Sequence, residues 1–269
     1  MTCYAARSTT GDLLDRHAAW KRETTDMLDT IILDIDDTLL AYPQSSDAFA
    51  QQVTVQLVRF FGQWISPQKM APALARGQQA MDANQGPEFT NAKLFFDAFC
   101  PIAGCGPQEA REMFERFYVE EFPKYEHLTH PMPGARAVVE WAFENGRQVA
   151  IATGFQSSVT AVELRLAWAG VPVTEFNYAF LTTVDNMHAS KPYVGYYYEV
   201  LEHLGRQPGQ CLMVGDHWTH DIVPAASVGM GGYWITSTES VPPEPLDRLV
   251  GHGRMLDLRA LLEDQHCLS

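Results

Sequence analysis

Positive charge is what this 269-residue chain is short of: 19 lysines and arginines stand against 33 aspartates and glutamates, a formal net charge of −14. Neither nucleic acid nor an anionic membrane is an expected partner, because both attract basic surfaces. An anionic small substrate would be repelled at long range, so a local cation has to prevail where it binds. No apolar run approaches the length of a membrane span. The first residues lack a signal-peptide apolar core, and Asp12, Asp15, Glu23 and Asp26 do not suit a transit peptide. Cysteine is sparse. Cys3, Cys100, Cys105, Cys211 and Cys267 are odd in number, scattered and in no zinc-binding spacing, so reduced thiols and a cytoplasmic location are expected. Internal repeats and low-complexity tracts are lacking as well.

What the chain does have is an apolar fraction of 46%, enough for a substantial core, and a length that suits one domain carrying an insertion. Its organising stretch is DTIILDIDDTLL, residues 29 to 40. Ile31, Ile32 and Leu33 suit a buried parallel strand, and the acids arrive where that strand should end. Alternation along a strand would put Asp34 and Asp36 on one side, where they repel unless a cation lies between them or one is protonated. With a divalent metal, Asp34 becomes a charge-neutralised nucleophile, and Asp36 can hold or deliver a proton. Thr38 adds a hydroxyl at the turn.

Residues 1–28 read as a polar, weakly helical arm with Leu13, Leu14, Trp20 and Met27 as apolar anchors. From 43 to 130 the period is helical. Phe49, Val53, Leu57, Phe60, Phe61 and Trp64 form one apolar face. Ser66-Pro67 opens a second helix through Met70, Leu74 and Met81, and Thr90 caps a third that should end at Cys100-Pro101. A fourth carries Ala110, Met113, Phe114, Phe117 and Tyr118. Four such helices bury their faces together as an inserted domain.

After Pro133, strands and helices alternate. Strands are expected at 149–152, 179–181, 211–214 and 233–235, with helices at 135–144, 157–169, 193–204 and 222–228 between them. Single helices between strands imply a parallel sheet with right-handed crossovers, whose ligands collect at the strands' carboxyl ends. Chemistry recurs at those ends. The strand at 149–152 runs into Thr153-Gly154, a hydroxyl beside a flexible backbone able to turn amides toward an anion. Ser190-Lys191-Pro192 follows the next strand, and Gly215-Asp216-His217-Trp218-Thr219-His220-Asp221 follows the one after. Carboxylates from two strands are hard oxygen ligands appropriate for magnesium, which tells against His217 and His220 as its ligands. The Gly229, Gly231, Gly232 cluster has the wrong spacing for a dinucleotide loop and serves to turn a helix into a strand.

Together these stretches resemble the haloacid dehalogenase superfamily, whose pattern is Asp-x-Asp-x-Thr, then Thr or Ser, then Lys, then Gly-Asp-x-x-x-x-Asp. The likeness spans about Thr30 to Ile235, and four motifs in order are far more specific than any one of them. It implies a Rossmann-like doubly wound α/β core, residues 1–42 and 131–269, with a helical cap over 43–130. It also implies that Asp34 attacks a phosphoryl group and becomes an aspartyl phosphate, while Asp36 protonates the leaving alcohol and then activates water. Thr153 and the Gly154 amide would bind phosphate oxygens, and Lys191 would offset charge. Mg2+ would be held by Asp34, the Asp36 backbone carbonyl and Asp216, with Asp221 as a further ligand or its holder. Departures are Gly154 where many relatives carry Asn, the aromatic run from Tyr193 to Tyr198 after the lysine, and the long N-terminal arm.

An inserted lid restricts substrates to small molecules, and Asn91, Lys93 and Arg76 are candidates to face the cleft, although solvated helix faces are the commoner place for such residues. Relatives that cleave carbon–halogen bonds lack an acid at position 36, because a halide needs no proton. The expected function is therefore a Mg2+-dependent phosphatase acting on a small phosphorylated metabolite, as a monomer or homodimer. A phosphomutase, a dehalogenase and a catalytically silent scaffold on the same fold are the alternatives. A receiver-type signalling domain shares the residue types, but its acceptor should lie on a later strand and it has no room for the helical insertion.

Overall fold

The computed structural model describes residues 28–154 and 157–266. The polar arm expected over residues 1–28 therefore lies, all but its last residue, outside the described residues. β1 (Thr30–Leu33) is buried along its whole length and occupies the middle of the sheet. Ile31 pairs with Val149 of β4 (Gln148–Ile151) on one side and with Leu212 of β6 (Cys211–Gly215) on the other, both in parallel. With β5 (Phe180–Leu181), β7 (Gly231–Ile235) and β8 (Leu249–Gly253), the order is β5-β4-β1-β6-β7-β8. The chain winds outward on one side of β1 and then resumes on the other, so the crevice beside β1 and β6 is the topological switch point of a doubly wound sheet.

Four helices follow a short strand, β2 (Leu40–Ala41): α1 (Ser46–Phe61), α2 (Pro67–Asp82), α3 (Asn91–Ala103) and α4 (Pro107–Glu120). The chain returns through a 3-10 turn, Phe122–Leu128, to β3 (His130–Pro131), which pairs antiparallel with β2. Both connections of the insertion thus run side by side. Its interior is aromatic: Phe114 lies 4.9 Å from Phe61 and 5.5 Å from Phe99, centroid to centroid. Gly77 lets α2 approach α3, since a Cβ there would sit 2.8 Å from the Phe95 ring.

The Ser45 and Thr90 side chains accept from Ala48 and Lys93 amides as N-caps should, whereas Ser66 holds an N-cap position without a side-chain bond. α3 does not stop at Pro101. It runs to Ala103 and ends on Gly104 in the left-handed region. The proline deprives only the carbonyl of Asp97, an exposed residue whose carbonyl solvent can satisfy.

The remaining helices are α5 (Ala135–Glu144), α6 (Val159–Trp168), α7 (Val194–Leu204), α8 (Val223–Ser227) and α9 (Met255–His266). Of the glycine cluster, Gly229 makes the turn (φ 97°), but Gly231 and Gly232 lie inside β7, where a Cβ would meet Val250 at 3.0 Å and Ile222 at 2.9 Å. β8 and α9 were not expected, because LVGHG carries neither alternation nor a β-branched run.

The insertion is docked on the core. Phe122 is fully buried, with its ring 4.9 Å from that of Trp168 on α6. The α2–α3 connection bonds to the loop before α7: the Asn91 and Ala92 amides donate to Met187 and Val184 carbonyls, and the Ser190 amide donates to the Asn84 carbonyl. Phe122→Ala is expected to lower unfolding stability by about 3–5 kcal/mol. Urea denaturation of the purified variant checks this, and an unchanged midpoint would show that the ring does not join insertion to core.

Candidate active site

β1 delivers Asp34 to the switch point, where its amide donates to the Val214 carbonyl of β6 (2.9 Å). The strand geometry ends there. The Ile35 carbonyl accepts the amides of Thr38, Leu39 and Leu40, closing a tight loop, and Asp37 takes φ 54°, a conformation that Asp tolerates better than most residues. The Asp37 carboxylate accepts the Ser46 amide (3.2 Å), which fixes the start of α1 beside the loop.

Because alternation stops at Asp34, Asp36 does not share its surroundings. Asp34 is buried and accepts from Lys191 Nζ at 3.0 Å; the same ammonium reaches Asp221 Oδ1 at 2.5 Å. The second Asp221 oxygen accepts the His217 amide (2.9 Å). Asp216 accepts from Thr38 Oγ1 (3.4 Å), the hydroxyl anticipated at this turn. Oxygens of Asp34, Asp216 and Asp221 all lie within 4.8 Å of one another. Gly215 makes room for this: a Cβ there would fall 2.4 Å from Asp221 Oδ2.

Asp36 has a different set of partners. Arg165 Nη1 donates to its Oδ2 at 2.5 Å, Tyr42 donates its hydroxyl to Oδ1, and Thr153 Oγ1 stands 3.4 Å from Oδ2. The Asp36 carboxylate is therefore outside the acidic triad. Thr153 is fully buried, with its hydroxyl also receiving Arg165 Nη1 at 3.3 Å, so its side chain is engaged with Asp36 and does not face the cleft as a phosphate ligand would. Gly154 does face it. A cleft of about 570 Å³ is lined by Asp34, Asp36, Gly154, Lys191, Asp216 and Asp221 together with the first turn of α1. Asn91, Lys93 and Arg76 do not line it. Asn91 is buried and donates to the Ala189 carbonyl, Lys93 pairs with Asp97, and Arg76 bonds Gln79.

Two kinds of partner escaped sequence reasoning. Arg165 was hidden within an apolar helix, although an arginine on the same face as Ala161, Val162 and Leu166 is a signal in itself. Tyr196 and Tyr197, in the aromatic run after the lysine, are buried against it: the Lys191 ammonium is 5.7 Å from the Tyr196 ring centroid, and Tyr196 donates to the Thr153 carbonyl (3.1 Å).

Electrostatics favour a cation at the triad. Burial pushes the Asp34 carboxyl up to about 7, Lys191 opposing it and Asp221 and Asp36 adding to it; burial likewise pushes Asp216 up to about 8, reinforced by Asp34 and Asp221. When all three are ionised, the carboxylates face one ammonium and leave two negative charges that a divalent ion matches, and the donor set is all oxygen. The residues fit such an ion.

A parallel doubly wound sheet with a buried carboxylate, a buried lysine and an acidic triad at its switch point defines a Rossmann-like α/β core with a helical insertion. The chain belongs to the haloacid dehalogenase-like hydrolase family, whose model matches residues 28–229. Comparison with curated proteins gives no match. Among solved structures, the chain is similar to a haloacid dehalogenase-type phosphatase of Thermococcus onnurineus (22% identity, 87% of this chain and 98% of that one, TM-score 0.54). It is similar also to a 2-haloacid dehalogenase of Pseudomonas syringae pv. tomato (19%, 88% and 99%, 0.58) and to YfnB of Bacillus subtilis, solved bound to magnesium (16%, 87% and 98%, 0.50). At these identities the likeness carries the fold, and the acidic site has to be read from its own residues. No described helix is long and apolar enough to cross a membrane.

Two outcomes test the site. Without metal, the folded state holds protons on Asp34 and Asp216 that the unfolded chain releases near pH 4, so their contribution to stability is present below that pH and is lost as pH rises through about 7 to 8. A divalent cation should therefore raise the melting temperature more at pH 8 than at pH 5, as thermal denaturation with magnesium or chelator would show. Arg165→Met removes the cation from a largely buried pair and is expected to cost about 3 kcal/mol in urea unfolding.

Proposed function

We propose that the chain is a divalent-cation-dependent phosphatase of small phosphomonoesters, with magnesium as the ion. The observation that carries this reading is the pair of aspartates that line one cleft with different partners, Asp34 at 3.0 Å from Lys191 and Asp36 held by Arg165. In the proposed reaction an Asp34 oxygen attacks phosphorus, the bond to the alcohol oxygen breaks, and that oxygen takes a proton from Asp36. Asp36 then accepts a proton from water as the water oxygen attacks phosphorus, the acyl-phosphate bond to Asp34 breaks, and inorganic phosphate leaves.

Lys191 would counter charge on Asp34 and on the phosphoryl oxygens, and the backbone of Gly154, which lines the cleft, would donate to them. Asp34, Asp216, Asp221 and the Asp36 backbone carbonyl would hold the ion, which supplies positive charge to the developing phosphoryl charge. Residues 43–130 act as a lid, docked in the conformation described above. A halide leaving group would give Asp36 no proton to deliver, and this separates the proposal from a dehalogenase.

With magnesium, the protein is expected to release phosphate from p-nitrophenyl phosphate and from alkyl phosphates. Asp34→Asn should remove turnover, and Asp36→Asn should lower kcat by about 10²–10⁴-fold. Phosphate release that survives Asp34→Asn, or halide release from 2-haloacids without any phosphoesterase activity, would sink the reading.

A further inference from the structure

A lysine carries its charge at the end of a flexible carbon stem, yet the Lys191 ammonium has to meet Asp34 at 3.0 Å and Asp221 at 2.5 Å. Such a side chain keeps one geometry only when both of its ends are held, because its rotamer freedom opposes any single placement. The two carboxylates hold the far end, with the Tyr196 ring beside it. The near end is the backbone at Ser190 and Lys191, and what holds that backbone comes from the inserted helices.

Each of residues 187–190, which lead into the lysine, meets the α2–α3 connection. The Met187 carbonyl accepts the Asn91 amide (2.8 Å), and the Ala189 carbonyl accepts Asn91 Nδ2 (2.9 Å). Ser190 donates its amide to the Asn84 carbonyl (3.0 Å) and its hydroxyl to the Met81 carbonyl (2.8 Å). At His188 the backbones nearly touch: a Cβ on Gly86 would fall 2.9 Å from the His188 carbonyl oxygen, and one on Gly195, in the first turn of α7, 2.9 Å from that of Gln85. Asn91 is the centre of this joint. It is fully buried, and its Oδ1 accepts Asn84 Nδ2 at 2.6 Å. A buried amide of this kind tolerates little displacement, since any bond it loses is not replaced by water.

Fastening alone does not require this. The insertion is tied to the core farther from the lysine as well, by the exposed pair Arg111 and Asp185 and by the Phe122 ring against Trp168. The Asn91 joint differs in being buried, polar and directional, and it ends at the residue before Lys191. From this we infer that Asn91 is a positioning residue for Lys191: the insertion fixes the backbone from which the lysine starts, so the ammonium reaches its place only when the α2–α3 connection is docked. The catalytic consequence rests on the phosphatase reading above, whereas the placement of the ammonium does not.

The test uses two readouts on the full-length protein. The Lys191 ammonium, on a side chain 4% exposed and bonded to two carboxylates, should exchange its protons slowly enough to give a side-chain ammonium resonance in NMR spectra, assigned by its absence from Lys191→Arg. Asn91→Leu, similar in volume but unable to bond, is expected to broaden or abolish that resonance while the melting temperature shows the variant folded. With magnesium it should lower turnover of p-nitrophenyl phosphate by about 10²-fold, chiefly through kcat, as a displacement of about an ångström does. Arg111→Gln, which cuts a different tie between insertion and core, should leave both readouts as in the wild type. Should Asn91→Leu not fold, Ser190→Ala, which removes only the hydroxyl bond to Met81, is read in the same way. An unchanged resonance, one lost equally in Arg111→Gln, or one missing from the wild type overturns the inference, as does a lost resonance with unchanged kcat. Failure of both joint variants to fold marks the joint as a fastening and overturns it too. Loss of the resonance in a protein that cleaves no phosphoester leaves the positioning of Lys191 standing and removes the phosphatase reading instead.

Discussion

Lys191 is the constraint that the site depends on. Carboxylates brought to the tips of buried strands lose their hydration, and Asp34 and Asp216 both show the consequence in upward shifts caused first by burial. One buried ammonium bridging Asp34 and Asp221 makes that arrangement tolerable, and its own pKa is raised well above the ordinary value by those same acids against the opposing effect of burial. A lysine in such a position needs a rigid approach. Here it comes from the segment between β5 and α7, which is stitched to the α2–α3 connection through Asn84, Asn91 and Ser190. One of the segments that dock the helical insertion is therefore also the one that delivers the lysine.

The sheet order explains why residues from positions 34, 154, 191 and 216 meet at all. β1 is central, β4 and β6 flank it, and the chain changes direction around it. Loops after those three strands, joined by the segment after β5 that carries Lys191, open into one crevice, which in such sheets is where ligands bind. β1 has no polar residue facing the core other than Thr30, which bonds Gln148 and Asp29, so the strand acts as a rigid post. Chemistry begins at the residue after it.

Much of this was legible in the chain. The apolar runs at Ile31–Leu33, Val149–Ile151 and Cys211–Val214 marked the central strands, and the acids, Thr-Gly and Ser-Lys-Pro fell at or after predicted strand ends, because strand termini are set by local sequence. Partnerships across long stretches were not legible. Nothing local tells that Arg165 will reach Asp36, 129 residues away, or that Thr153 will spend its hydroxyl on that acid. Asn91 looked like a surface residue of a helix start and is instead buried in the joint between insertion and core, since its neighbours there come from Asn84 and Ala189. β8, with two glycines in five residues, has a strand's conformation only because β7 supplies its partner.

The spacing of Asp34 and Asp36 is where local reasoning and tertiary structure part most instructively. Two carboxylates two residues apart on a strand would share one side, and the repulsion would call for a shared cation or a proton. Instead, the three amides gathered by the Ile35 carbonyl end the strand between them. Each acid then acquires its own counter-charge, Lys191 for Asp34 and Arg165 for Asp36. One carboxylate is thereby left beside the acidic triad while the other is oriented by a guanidinium and a phenol. The division of labour proposed for them, nucleophile and proton carrier, would need such unlike surroundings, because two acids in one environment would compete for the same proton and the same cation.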